Sequence, residues 1–228
     1  MRRNGKLSPG IRAVAACLLV AVQLAAAAAS VEAQQFSADL VARKDDTTTV
    51  VGTLHVSDRK ARIEAAAFAD GFFLIDSAKP AAYFVRPGAR VFMDAMQSSR
   101  LTRMFVPVDP DQPCREWQAM AQVAMPIDAG TWHCERDGEE IIAGRKMDVY
   151  RVAETSGGGF VGWVDRERRF PVQIRMEDGT MIVADHIRSE PQPPPSFDIP
   201  AGMRKFDPHA LIRRIQQSDV WVAPPASE

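Results

Sequence analysis

The sequence predicts an α+β fold in a single domain, an antiparallel β-sheet with short helices packed against one face. Three observations carry this. Short segments with apolar alternation, separated by turn residues, recur in both halves of the chain. Two of them, residues 72–75 and 83–85, are apolar at every position, so both faces of their sheet must be covered. Between the halves lie two stretches with apolar residues three to five apart, the spacing of helices rather than strands.

A leading segment stands apart from this domain. Arg2, Arg3, Lys6 and Arg12 form a basic head, and residues 13–29 follow as an apolar run broken only by Gln23. Val31-Glu32-Ala33 offers small residues where a signal peptidase reads, so residues 1–33 are predicted to be a signal peptide cleaved before Gln34. An uncleaved anchor and lipidation at Cys17 are the competing readings. Against them, the run is mostly alanine and barely spans a membrane, and only four apolar residues precede Cys17.

The strands follow in order. Residues 36–43 alternate at period two, with Phe36, Ala38, Leu40 and Ala42 on one face. Residues 49–56 repeat the pattern, with Val50, Leu54 and Val56 inward and Thr49, Thr53 and His55 outward. Asp58-Arg59-Lys60 turns the chain into residues 61–65, and Gly71 opens residues 72–75. Arg86-Pro87-Gly88 joins residues 83–85 to 91–93. A helix over 94–105 would align Met93, Met96, Leu101 and Met104, and one over 115–125 Trp117, Met120 and Val123; the break at 107–113 divides them. A second meander comprises 146–153, 160–165, 170–176 and 180–187. Its joints are Gly157-Gly158-Gly159, residues 166–169 and the hairpin dipeptide Asp178-Gly179. Glu139-Glu140, between Gly138 and Gly144, reads as turn. Residues 191–195 are a stiff linker; 208–228 hold a terminal helix (208–218) and a proline-rich tail.

With 46% hydrophobic and 25% charged residues, the chain is neither disordered nor a multi-span membrane protein. Removing residues 1–33 leaves about 195 residues with 24 basic against 28 acidic side chains, a net charge near −4. Nucleic-acid binders carry a basic face, so no such partner is expected. Cys114 and Cys134 remain as an even pair in an exported chain. They are expected to form a disulfide closing a loop of about 20 residues. A redox or metal pair is the alternative, but there is no Cys-x-x-Cys spacing and His133 would be a lone companion.

Few residues are arranged for catalysis. His55, His133, His186 and His209 never share metal-ligand spacing, and no Ser lies in a Gly-x-Ser-x-Gly elbow. Asp45-Asp46 and Asp109-Pro110-Asp111 lack the further ligands of a calcium loop. Neither a metal nor a cofactor is expected, and the chain does not read as an enzyme. Arg166, Arg168 and Arg169 form a small basic cluster, either a solvated turn or a seat for an acidic head group.

The order of short motifs is informative. Phe36-Ser37-Ala38-Asp39 leads to Gly52-Thr53-Leu54-His55-Val56-Ser57 and Lys60-Ala61-Arg62-Ile63-Glu64. Later come Trp132-His133-Cys134-Glu135, Glu140-Ile141-Ile142-Ala143-Gly144-Arg145, Tyr150, Trp163-Val164-Asp165, Arg169-Phe170-Pro171-Val172 and Phe197-Asp198-Ile199-Pro200-Ala201-Gly202. This series resembles exported domains related to the Lol-type outer-membrane lipoprotein carriers (the LolA/LolB-like superfamily) and their sensor-regulator cousins. The resemblance spans roughly residues 36–206, so residues 34–207 are taken as one carrier-like domain. It implies a strongly curved sheet, an incomplete barrel whose concave face is closed by short helices, with acyl chains held in the apolar space between. The Cys114–Cys134 pair and the C-terminal helix depart from the carriers, and Arg62 is the nearest match by position to a functional arginine.

A site follows from this layout. Leu54, Ile63, Phe73, Phe84, Trp163 and Ile174 would supply apolar side chains from the strands, with Met96 and Met120 approaching from the helices. Such a space binds acyl chains by burial, and methionine adapts to variable ligands. The expected partner is an apolar ligand, a lipid or acyl chain, in the periplasm. The alternative is an interaction or sensory module that binds an envelope protein and has no ligand cavity.

Overall fold

The computed structural model describes residues 34–95, 99–124, 132–154 and 158–216. The first meander consists of β1 (Gln35–Lys44), β2 (Thr47–Ser57), β3 (Lys60–Ala65), β4 (Phe72–Asp76), β5 (Ala81–Arg86) and β6 (Val91–Asp94). Helices α1 (Leu101–Met104) and α2 (Pro113–Ala124) follow. The second meander is β7 (Trp132–Ile142), β8 (Arg145–Glu154), β9 (Phe160–Asp165), β10 (Phe170–Met176) and β11 (Met181–Ser189). A 3-10 helix (Pro194–Phe197), β12 (Arg204–Lys205) and α3 (Pro208–Gln216) complete the described chain.

These strands form one open sheet, ordered β12-β6-β5-β4-β3-β2-β1-β11-β10-β9-β8-β7. Nearly every neighbour is a sequential hairpin, so the meanders need only one long-range joint. That joint is the antiparallel β1–β11 pair, where Leu40 faces Ala184 and Ala42 faces Ile182. At the far edge β12 adds in parallel to β6. The α+β class and the unclosed antiparallel sheet agree with the reading from sequence.

One face of the sheet carries the main core. Phe36, Leu40, Leu54, Val56, Ile63, Phe73, Ile174 and Ile182 meet Met104, Phe105, Val106, Trp117 and Met120 from the helical layer. Glycine is required at one point of this contact. A Cβ on Gly162 would lie 2.9 Å from Trp117 Cη2, so only a bare backbone lets the indole sit on β9. The indole Nε1–H donates to the Met104 carbonyl at 3.0 Å, tying α2 to α1. The 107–113 segment is more than a break. Val106 and Val108 are buried, and the Val108 N–H bonds the Arg169 carbonyl, so the segment straps the helices to the sheet.

The other face has two smaller clusters. Phe72, Leu74 and Val85 pack under Ile199 and Met203 of the C-terminal segment, which explains why β4 is apolar on both sides. Met147, Val149, Val161, Trp163 and Val172 form the second.

Several expectations change. Residues 132–142, partly read as turn, are an edge strand paired along its length with β8. Its exposed, polar positions concealed it, and the register shift beside Gly138 breaks its alternation. Val50 points outward, 62% exposed. A register shift between Leu40 and Val41 changes the alternation in β2, so Val51 packs on the core instead. Among the described residues of the helix expected over 94–105, Leu101–Met104 are helical, and Asp94, like Met93, is taken by β6 and its ladder to β5.

Candidate functional site

The predicted site residues divide into three groups. Leu54, Ile63, Phe73, Met120 and Ile174 come together in the main core, each at most 3% exposed, and Phe84 packs against them with its ring 4.9 Å from that of Phe73. Trp163 does not join them. Inner positions on β9 belong to Phe160, Gly162 and Val164, so strand alternation sends Trp163 to the opposite face. There its indole N–H donates to Glu140 Oε2 at 2.9 Å, and the Arg175 guanidinium lies 5.3 Å from its ring. Met96 lies outside the described residues.

Among the described residues, buried side chains fill the space between sheet and helices. At the seam a cavity of about 20 Å³ remains, room for roughly one water, lined by Arg100, Arg103, Met104, Trp117, Ala121, Trp132, Gly158 and Phe160. It lies at the start of β9. The helical layer is pinned to the sheet by buried carboxylates. Glu116 of α2 accepts from Arg59 at 3.1 Å and from Arg115 at 3.0 Å. Asp148 accepts from Arg136 at 2.7 Å and Arg166 at 2.8 Å, and Arg166 also bonds Pro110 and Asp111 of the strap. Asp165 accepts from Arg145 at 3.0 Å and Arg168 at 2.6 Å. Burial alone would raise the Asp148 and Asp165 carboxyls, but the arginine hydrogen bonds outweigh it and hold both below the usual carboxylate range. The disulfide fastens the same layer: Cys114 at the start of α2 is bonded to Cys134 of β7, Cα atoms 5.7 Å apart.

Two basic features therefore have structural partners. Arg166 and Arg168 of the predicted cluster are engaged by Asp148, Asp111 and Asp165, which leaves no free seat for an acidic head group on those two side chains. Arg62 stacks 3.6 Å over the Phe72 ring and donates to the Ser196 carbonyl, clamping the C-terminal segment. Among the described residues, no group of three or more His, Cys, Asp or Glu is placed to hold a metal ion. Sequence reasoning missed Arg100 and Arg103. Their one-turn spacing beside Met104 was the available signal.

A second concavity lies on the surface, a groove of about 610 Å³ bordered by Val50, Phe68, Ala69, Phe72 and Pro87, with Phe68 47% exposed.

The class defined by fold and seam is thus an open antiparallel-sheet protein with a pinned helical layer. No protein-family model matches the chain, and neither does any curated protein. Solved structures of similar architecture include an uncharacterized conserved protein from Thermus thermophilus, at 9% identity and TM-score 0.42, covering 78% of this chain and 94% of that one. The MucA/MucB complex of Pseudomonas aeruginosa is similar at 14% identity and TM-score 0.39, covering 77% of this chain and 59% of that one. A putative outer-membrane lipoprotein-sorting protein domain from Vibrio parahaemolyticus aligns at 9% identity and TM-score 0.34, covering 73% and 90%. Likenesses at this level assign neither family nor function.

Proposed function

We propose that this chain is an exported, non-enzymatic module of the cell envelope, processed before Gln34, that binds a lipid or acyl chain at the seam between sheet and helical layer. The observation that carries this reading is the position of the seam cavity. It opens beside a core rich in methionine and aromatic side chains, bordered by Met104, Trp117, Trp132 and Phe160. A ligand entering there would displace Met104 and Met120, which repack at low cost, while the disulfide and the buried carboxylates keep the layer attached.

A second reading has its own observation. Among the described residues the core is filled, and the exposed Val50 and Phe68 border a groove large enough for a protein side chain or two, as an envelope protein partner would require. Titration of the mature, oxidised protein with a fluorescent fatty acid separates the two. The seam reading expects saturable binding that Ala121→Phe, which fills the cavity, weakens by about tenfold or more while the thermal transition stays cooperative. Absence of binding would favour the groove and its protein partner. Equal binding by both proteins would place the ligand elsewhere.

A further inference from the structure

We infer that the seam cavity recognises an acidic head group, so that the lipid bound there is an anionic amphiphile; this rests on the ligand-binding reading above. The Arg103 and Met104 N–H groups both bond the Arg100 carbonyl, at 3.0 and 3.1 Å, so Arg100 and Arg103 stand one helical turn apart on the same side. Both line the cavity together with Met104, Trp117, Trp132 and Phe160. Among the described residues neither guanidinium has a carboxylate within ion-pair distance, and Arg103 Nε is buried without a hydrogen-bond acceptor. Arg59, Arg115, Arg136, Arg145, Arg166 and Arg168 meet acids, although the buried Nε atoms of Arg59 and Arg168 also lack an acceptor.

Two like charges one turn apart repel, and a buried donor without an acceptor is costly. A single group with two or three anionic oxygens removes both penalties, because guanidinium pairs with carboxylate or phosphate through parallel, charge-assisted bonds. The cavity is partly open, and both arginines stand on its lining. The aromatic and methionine walls would take the methylenes that follow the head group. A neutral head group would leave both guanidiniums unpaired.

The test compares decanoate, 1-decanol and inorganic phosphate on the mature, oxidised protein, with Arg103→Gln and the Arg100→Gln/Arg103→Gln pair as variants. Calorimetric titration should show decanoate bound about tenfold more tightly than decanol, with phosphate alone far weaker than decanoate. In the double variant the decanoate preference should shrink to within about twofold, with decanol affinity unchanged. Equal affinity of the wild type for decanoate and decanol would overturn the head-group inference and leave the ligand-binding reading standing. A preference that survives the double variant would do the same. Phosphate binding as tightly as decanoate would make this a plain anion site and overturn it as well. Binding of neither amphiphile would remove the ligand-binding reading and this inference with it.

Discussion

Trp117 and Gly162 offer a direct test of how the helical layer sits on the sheet. The indole is 1% exposed, packs edge-on against Phe160 with centroids 5.2 Å apart, and donates its N–H to the Met104 carbonyl. Trp117→Ala removes the anchor. The lost side chain and residual cavity cost about 3–5 kcal/mol, and the orphaned carbonyl adds about 1 kcal/mol. With a urea slope of about 2 kcal/mol per molar, the midpoint should fall by about 2–3 M. Gly162→Ala tests the same contact from the other side. Its Cβ would sit 2.9 and 3.1 Å from Trp117 Cη2 and Cζ2 and 3.3 Å from Ile174 Cδ1, so overpacking should cost about 1–3 kcal/mol. In a strand without that clash, alanine is favoured over glycine by about 0.5–1 kcal/mol. The sign should therefore reverse: Gly162→Ala destabilises the wild type and is neutral or stabilising on the Trp117→Ala background. Urea unfolding of the four proteins, followed by far-ultraviolet circular dichroism, gives the coupling. A coupling below about 0.5 kcal/mol would mean that the indole does not rest on Gly162, and the packing argument would be wrong.

Other expectations are as concrete. Thiol titration of the denatured mature protein should find no free sulfhydryl, and reduction, or Cys114→Ala with Cys134→Ala, should cost about 3 kcal/mol for a 20-residue separation. Asp148 and Asp165 have lowered folded-state values, so their stabilisation is complete above the unfolded value of about 3.8 and is lost as pH falls through the folded values. Asp165→Asn should cost about 3 kcal/mol at pH 7, because Arg145 and Arg168 lose their buried partner, and should flatten the acid limb of an unfolding curve. An unchanged acid limb in that variant would show that the pair contributes nothing to acid sensitivity.

How far the site was legible depended on the element. Leu54, Ile63, Phe73 and Ile174 lie on strands whose apolar period or hairpin partners mark one face, and all four reached the core. Trp163 did not, because residues 160–165 are all buried and their apolar pattern does not mark which alternate set faces the helices. Arg100 and Arg103 were missed for a different reason. Arg100, just before a four-residue helix, and Arg103 within it acquire meaning only from Trp132 and Phe160, which are distant in sequence.

The chain's local chemistry determined most of the strand periods, the Asp178-Gly179 hairpin and the helix that carries Trp117 and Met120, and it offered Cys114 and Cys134 as an even pair. The first three depend on residues near one another along the backbone, the last on composition. Tertiary structure alone decided that residues 132–142 form an edge strand, since their order comes from hydrogen bonds to β8 and not from burial. It also decided that Arg166 is spent on Asp148 and Asp111 while Arg100 and Arg103 have no acid within ion-pair distance among the described residues. Charge pairing of this kind is set by distances across the fold, which a one-dimensional pattern does not encode: Asp111 and Arg166 are 55 residues apart in the chain and in hydrogen-bond contact in space.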